Sequence, residues 1–181
     1  MKVVIDPGHG GSDPGAVGPN GLQEADVNLA ISQQVADYLE DFDIQTRLTR
    51  TTDIYIELSY RAAVSNEWNA DFFVSIHQNS NSASARGIEC LYTSDAGKAL
   101  ATPIQACMVA ATGDVDRGLK YRDDLYVLNA TAAPACLAEC AFISHPPSEQ
   151  KLATDEYKSL LAEAIGNGIL EHLNIHGSGS T

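Results

Sequence analysis

The stretch KVVIDPGHGG at residues 2–11 is the part of the sequence from which the fold is read. It begins with a short apolar, β-branched run and ends in a segment rich in glycine. An apolar run that Gly and Pro bring to an end is typical of a buried strand in a parallel sheet. We therefore predict a strand at Lys2–Asp6. It would carry His9 to the carboxyl edge of the sheet, where ligands bind in open α/β folds.

The stretch FFVSIHQN at residues 72–79 is built in the same way. It predicts a strand at Phe72–Ile76 with His77 directly after it. Two imidazoles brought by separate strands to one edge of a sheet indicate a metal site. Such a site still needs a third ligand.

The rest of the chain continues this pattern of strands and helices. The other predicted strands are Ile44–Leu48, Ile88–Tyr92, Leu125–Leu128 and Cys136–Cys140, and the predicted helices are Leu22–Leu39, Glu57–Asn69, Ala96–Ala111 and Tyr157–Leu173. We expect an α/β fold, with a single twisted, mostly parallel sheet of about six strands and helices on both faces. Residues 1–175 are expected to form one domain, and the Gly/Ser-rich residues 176–181 a flexible tail or linker.

Composition excludes several classes of protein. The 181 residues carry a net charge of -13, which argues against nucleic acid as a partner. No apolar stretch approaches the ~20 residues of a membrane span, so we expect no membrane partner. The N-terminal segment also lacks the pattern of a signal peptide. For the protein to function outside the cytoplasm, its targeting signal would have been removed or lie on a missing segment, or cell lysis would release the protein.

Four cysteines are too few for a disulfide scaffold in a chain with its own core. Cys136 and Cys140 have the same strand parity, so both are expected on one face of their strand. Buried thiols are favoured there, and a zinc pair or a disulfide is the alternative.

Glu24 is the candidate for the third ligand. It shares helical spacing with Val27, Ile31 and Val35, which places it on the apolar stripe that faces the sheet. An inward carboxylate is costly unless it is paired or bound to a metal. The alternative is a Glu in the first helical turn that the helix dipole stabilises and whose carboxylate reaches water. Two His and one Glu are the ligand type of catalytic zinc sites.

Glu139 is the candidate for a proton acceptor. It lies in a late apolar strand, with parity opposite to that of Cys136 and Cys140. Apolar neighbours are expected to raise the pKa of its carboxyl group, which suits proton transfer near neutral pH. A buried ion pair with Arg61 or Arg117 is the alternative.

Five ordered segments resemble one enzyme family. They are IDPGHGG (5–11), DPGA (13–16) leading to Glu24, SIHQN (75–79), RGLK (117–120) and PACLAECAFIS (134–144). Together they resemble the zinc-dependent N-acetylmuramoyl-L-alanine amidases of the amidase 3 family, which are bacterial autolysins and phage endolysins. The resemblance extends over residues 2–173. The family usually has Gly at Ala141 and Asn at His145.

The resemblance implies roles for the candidate residues. His9, Glu24 and His77 would bind one Zn2+ per chain, and Glu139 would be the catalytic glutamate of an amidase domain at residues 1–175. The substrate would be the amide between N-acetylmuramic acid and L-alanine in peptidoglycan. The protein would act at the bacterial cell wall, after secretion or lysis. We expect a monomer, with a wall-binding domain outside this chain as a further component.

Substrate contacts are less clearly specified. Arg117, Lys120 and Arg122 form a basic cluster that could meet stem-peptide carboxylates, although a solvated loop is the favoured alternative. His145 could also touch substrate, and a solvent-facing loop position is again favoured. His172 and His176 end the last helix, where imidazolium suits the dipole, and neither is assigned to the chemistry.

Two other classes of function compete with a zinc amidase. A cysteine hydrolase needs a Cys–His pair. No Cys lies in a glycine-bounded turn near His9 or His77. A zinc-stabilised module that binds the wall without turnover would keep the same residues, and loss and recovery of wall lysis would separate it from an enzyme.

Overall fold

The computed structural model describes residues 1–174, which form six strands and six helices. In chain order these are β1 (Lys2–Pro7), α1 (Glu24–Glu40), β2 (Gln45–Leu48), α2 (Leu58–Trp68), β3 (Phe72–Asn79), β4 (Ile88–Tyr92), α3 (Asp95–Thr112), β5 (Asp116–Tyr121), α4 (Tyr126–Ala130), β6 (Ala135–Phe142), α5 (Pro146–Leu152) and α6 (Asp155–His172). The predicted tail at 176–181, with His176, lies outside the described residues.

The strands form a single sheet in the order β2-β1-β3-β6-β4-β5. β4 is antiparallel to β6, and the other neighbouring pairs are parallel. The prediction of a mostly parallel, six-stranded sheet is therefore confirmed. None of the helices within residues 1–174 combines the length and hydropathy that a membrane crossing requires.

The larger core lies between the sheet and helices α1, α3 and α6. Its fully buried side chains include Ile31 of α1, Val74 of β3, Ile104 of α3 and Ile165 of α6. Helices of this kind derive most of their stability from burying an apolar face against the sheet.

A smaller core lies on the opposite face of the sheet. Here Phe73 of β3 and Leu137 of β6 pack with Val127 and Leu128 of α4, and Trp68 of α2 lies at its margin. Helices thus cover both faces, as predicted.

One predicted strand is wrong. Leu125–Leu128 contributes to α4 rather than to the sheet, and Val127 and Leu128 reach the smaller core from that helix. A four-residue apolar run does not distinguish a strand from a buried helical turn. The missed strand is β5, Asp116–Tyr121, an edge strand whose charged sequence DRGLKY lacks an apolar run.

The cysteines are free thiols. Cys90, Cys136 and Cys140 are buried in the larger core, while Cys107 is partly exposed. Burial raises the pKa of the Cys136 thiol to about 12. The buried-thiol interpretation of Cys136 and Cys140 is therefore confirmed.

A buried ion pair fixes the carboxyl end of β1. Arg61 of α2 donates from Nη1 to Asp6 Oδ1 at 2.9 Å and to the Pro7 carbonyl at 2.6 Å, and from Nη2 to the His9 carbonyl at 2.8 Å. Asp6 also accepts hydrogen bonds from the hydroxyls of Thr49 and Ser75. The carboxylate is thus fully satisfied, which a buried charge requires.

Arg50 holds the same loop from the other side. Its guanidinium donates to the carbonyls of Pro7 at 3.1 Å, Gly8 at 2.9 Å and Ala25 at 2.8 Å. The loop after β1 is thereby joined to the first turn of α1. Two buried arginines, from separate segments, therefore determine the backbone path on which His9 stands.

We predict that Arg61→Met lowers the free energy of unfolding by about 3–5 kcal/mol, because it leaves the Asp6 carboxylate buried without its cation. Urea unfolding measured by circular dichroism checks this value. Arg47→Met is the matched control, since Arg47 is exposed and stacks on Trp68, and a change within about 1 kcal/mol is expected. A loss for Arg61→Met no larger than that of the control would contradict the prediction.

Candidate metal centre

Three side chains converge where β1 and β3 end and α1 begins. His9 follows β1, His77 lies near the end of β3, and Glu24 is the first residue of α1. Because β1 and β3 are parallel neighbours, their carboxyl ends meet at one edge of the sheet. The predicted third ligand therefore lies beside the two histidines.

One carboxylate oxygen contacts both rings. Glu24 Oε1 lies 2.9 Å from His77 Nδ1 and 3.3 Å from His9 Nε2. One such donor atom from each residue lies within 4.8 Å of the others. Glu24 is only 4% exposed, so its carboxylate points inward rather than reaching water. Two imidazole nitrogens and one carboxylate oxygen form a donor set that suits a divalent transition metal.

Neighbouring groups orient two of the three side chains. Asp13 Oδ2 lies 2.8 Å from His9 Nδ1, which directs Nε2 of that ring to the centre. Glu24 Oε2 accepts a hydrogen bond from the Ala16 amide at 2.9 Å, and Oε1 accepts one from the Gln78 amide at 3.0 Å. Outer contacts of this kind fix the ring tautomer and the carboxylate direction at metal sites.

The charges of the cluster favour a cation. Burial lowers the pKa of His9, but hydrogen bonds and negative charge from Glu24 and Asp13 outweigh it and raise that pKa to about 9. Burial likewise raises the pKa of Glu24, but hydrogen bonds with His77 and His9 outweigh it and hold that pKa below its usual range. The cluster therefore carries the negative potential that attracts either protons or a metal ion.

Two glycines are required by packing against the cluster. A Cβ atom on Gly8 would collide with the His77 ring, and one on Gly15 would lie 2.6 Å from Glu24 Oε2. Gly15 also has a φ of 66°, in the left-handed region that favours glycine. The sequence predicts tight turns here, and the structure adds that the rings and the carboxylate leave no room for a side chain.

Glu139 lies next to the cluster on β6. It is the register partner of His77 across the parallel β3–β6 pair, so both side chains leave the same face of the sheet. Its Oε2 atom is buried and has no hydrogen-bond partner among residues 1–174. Burial raises the pKa of its carboxyl group to about 7.

The alternative of an arginine partner for Glu139 is wrong. Arg61 pairs with Asp6, and Arg117 donates from Nε to Glu89 Oε2 at 2.7 Å. Glu89 is a functional candidate that the sequence interpretation missed. It is the antiparallel register partner of Glu139 and also accepts a hydrogen bond from Asn79 Nδ2 at 2.7 Å. A charged residue inside the apolar strand Ile88–Tyr92 is the signal that could have found it.

The predicted substrate contacts lie on and beyond β5. Arg117 and Lys120 are exposed residues of β5, and Arg122 follows the strand. Arg122 forms two hydrogen bonds with Asp124, both 2.7 Å long. Two of the three cations therefore already have a carboxylate partner. His145 precedes α5 and lies 2.8 Å from the Ser148 hydroxyl through Nδ1, in a partly exposed loop.

Comparison with known proteins assigns the chain to a family. The family model described as N-acetylmuramoyl-L-alanine amidase matches residues 3–171. The uncharacterized protein YqiI of Bacillus subtilis is 43% identical, over 92% of this chain and 82% of its own length. The sporulation-specific N-acetylmuramoyl-L-alanine amidase of the same organism is 38% identical, over the whole of this chain and 71% of its own.

A solved structure agrees with these relatives. The N-acetylmuramoyl-L-alanine amidase AmiC2 of Nostoc punctiforme superposes with a TM-score of 0.93 and 40% sequence identity. The match covers 96% of this chain and 97% of that one. Since the family model and both kinds of relative extend over nearly the whole chain, this protein belongs to the N-acetylmuramoyl-L-alanine amidase family.

Proposed function

We propose that this protein is a zinc-dependent hydrolase of the bacterial cell wall. It cleaves the amide between the lactyl group of N-acetylmuramic acid and the L-alanine of the peptidoglycan stem peptide. The observation that carries the proposal is the convergence of His9, Glu24 and His77 beside the unpaired carboxylate of Glu139. The names of the relatives support the choice of bond.

The donor set supports zinc as the metal. Two imidazoles and one carboxylate favour Zn2+ over Mg2+ or Ca2+, which prefer sites made of oxygen atoms. Three protein ligands leave room for a substrate atom, as in catalytic rather than structural zinc sites. When bound, Zn2+ supplies Lewis acidity, which polarises the scissile carbonyl and makes the attacking water more acidic.

Glu139 moves the proton in this proposal. Its carboxylate accepts a proton from the attacking water as the new C–O bond forms. It then delivers that proton to the L-alanine nitrogen as the C–N bond breaks. The products are a lactyl carboxylic acid and a stem peptide with a free amine. A carboxyl group with a pKa near neutrality can perform both transfers.

The remaining assignments extend this proposal to the substrate and its setting. Lys120, with Arg117 and Arg122, would meet stem-peptide carboxylates on the β5 side, and His145, which follows the carboxyl end of β6, would touch the substrate there. Residues 1–175 would be the catalytic domain, acting as a monomer on peptidoglycan. A separate wall-binding domain would hold it at the wall.

Removal of the metal is expected to abolish amide cleavage. EDTA treatment followed by dialysis should stop release of stem peptides from purified peptidoglycan, and one equivalent of Zn2+ should restore it. Mass spectrometry of the digest identifies the bond that is cut. In the same assay His77→Ala should lose both zinc and activity. His172→Ala should keep both, because His172 lies against Phe72 outside the centre. Full activity of the metal-free protein would contradict the proposal.

Glu139→Gln is expected to lower kcat by roughly 10²–10⁴-fold, the usual contribution of a general acid–base group. Zinc content and thermal stability should stay unchanged, since Glu139 is not one of the three converging ligands. Glu163→Gln, an exposed change on α6, is the matched control. Stopped-time assays on a muramoyl peptide give kcat, and near-normal turnover by Glu139→Gln would exclude the assigned role.

The pH profile of kcat/KM should show an acid limb set by Glu139. Burial raises the pKa of this group from its ordinary value of 4.5 to about 7. A bound cation stabilises the ionised carboxylate and therefore lowers the same pKa. Because the carboxylate is the active form, activity is present above this pKa and lost as pH falls through it. We expect the midpoint between these two values. Zinc content is measured at each pH, and a flat profile at constant zinc would count against the assignment.

A further inference from the structure

A cavity of about 310 Å3 opens beside the candidate metal centre. Its walls come from β1 and the loop after it, β3, α4, and α2 with the segment that leads into it, and we name it the β1 pocket. The residues used below are Asp6, His9, Tyr55, Leu58, Arg61 and His77, all of which line it. Glu139 lies on β6, beyond β3 in the sheet order. Residues of β1 and β3 thus line the cavity, whereas no residue of β6, the strand of Glu139, is among its described lining residues.

The mouth of the β1 pocket is apolar and open to solvent. Tyr55 is 48% exposed and Leu58 is 52% exposed. Exposed apolar groups that rim a cavity mark ligand-binding grooves. The charged groups in the walls are already paired, since Asp6 binds Arg61 and His9 contacts Asp13. Arg61 is the one lysine or arginine among the described lining residues, and its charge is offset by Asp6, although its Nε has no hydrogen-bond partner there.

Towards β5, the surface near the candidate metal centre carries an exposed cation. Lys120 is exposed on β5, past β6 and β4 in the sheet, and it is the one member of the basic cluster without a carboxylate partner among residues 1–174. The proposed substrate has the same asymmetry across its scissile amide. Its sugar side is uncharged and presents C–H groups on the faces of the ring, whereas its peptide side carries carboxylates. The polarity of the surface therefore places the sugar in the β1 pocket and the peptide towards β5.

The position of the proton donor gives the same direction independently. Glu139 must reach the nitrogen of the departing L-alanine, so the peptide half of the substrate lies on the β6 side. The acyl half, which bears the sugar, then lies across the three ligands on the β1 side. Both arguments assign the same half of the substrate to the same cavity.

The backbone of Tyr55 is held directly against the loop that carries His9. The Gly11 amide donates to Asp53 Oδ1 at 2.7 Å, and a Cβ atom on Gly11 would collide with the backbone of Ile54 and Tyr55. The aromatic ring therefore stands on backbone that is fixed relative to one of the ligands. A prepositioned platform of this kind lowers the entropic cost of binding.

We propose that the β1 pocket is a subsite for the N-acetylmuramoyl sugar ring, with Tyr55 and Leu58 as its apolar platform. This assignment rests on the proposed function and adds to it the direction in which the substrate lies. The cavity volume of 310 Å3 is at the small end of the range of about 300–1,000 Å3 for ligand pockets, which suits one sugar ring. Contact between an aromatic face and the C–H groups of a pyranose supplies the binding.

The test compares two substrates that differ only in the sugar. One is an N-acetylmuramoyl peptide, and the other is a 2-methoxypropionyl peptide of the same sequence, in which a methyl group replaces the sugar. Tyr55→Ala should raise KM for the muramoyl peptide roughly tenfold, the effect of losing about 1.4 kcal/mol of contact. Its kcat should be unchanged, because the contact is equal in the ground and transition states. The kinetic constants for the truncated peptide should not change.

Tyr60→Ala is the matched control, since Tyr60 is 56% exposed on the same helix as Leu58 and does not line the cavity. It should leave both substrates unaffected. If the wild type cleaves only the muramoyl peptide, measurements of inhibition by the two products replace the comparison of the two substrates. Tyr55→Ala should then weaken inhibition by N-acetylmuramic acid roughly tenfold and leave inhibition by the stem peptide unchanged.

Two results would overturn the subsite while leaving the proposed function intact. Equal losses on both substrates would mean that Tyr55 acts through the His9 loop, and no loss on either would mean that the sugar binds elsewhere. Failure of the wild type with bound zinc to cleave the muramoyl peptide would instead overturn the proposed function, and the subsite with it.

Discussion

The hydrogen bonds that Arg61 and Arg50 donate to the loop after β1 are the constraint on which the candidate site depends. These two guanidinium groups occupy the carbonyls of Pro7, Gly8 and His9. His9 has a φ of 60°, which is uncommon for a residue other than glycine. Such a conformation persists where the surrounding contacts over-determine it. The direction of the first candidate ligand is therefore a property of α2 and of the segment after β2, and not only of its own loop.

Much of the fold could be predicted because three central strands are buried along most of their length. β1, β3 and β6 carry continuous apolar runs, which is the pattern of strands covered on both faces. The same rule fails at the edge of the sheet. β5 has charged residues and a glycine, and Leu125–Leu128 is apolar because α4 packs against the smaller core. Local hydropathy reports burial, and burial does not by itself distinguish a helix from a strand.

The candidate site was predictable to the extent that it depends on periodicity. Helix phase is enough to bring Glu24 inward, and strand order is enough to bring His9 and His77 to one edge. The state of Glu139 depends instead on which carboxylate each arginine meets. Arg61 is taken by Asp6 and Arg117 by Glu89, and these partners are 55 and 28 residues away in sequence. A role for Tyr55 could not be predicted from the sequence either, because its position depends on a tertiary contact, the packing of its backbone against Gly11.

The charged sequence of β5 has a consequence for the molecule as a whole. β2 and β5 are the two edges of the sheet, and each leaves one row of backbone donors and acceptors without a neighbouring strand. β2 is only four residues long, and β5 displays Asp116, Arg117 and Lys120 to solvent. Short length and charge both discourage a second chain from adding its own strand there. The charged residues that prevent a hydropathy pattern from identifying β5 as a strand thus also protect an open sheet from aggregation.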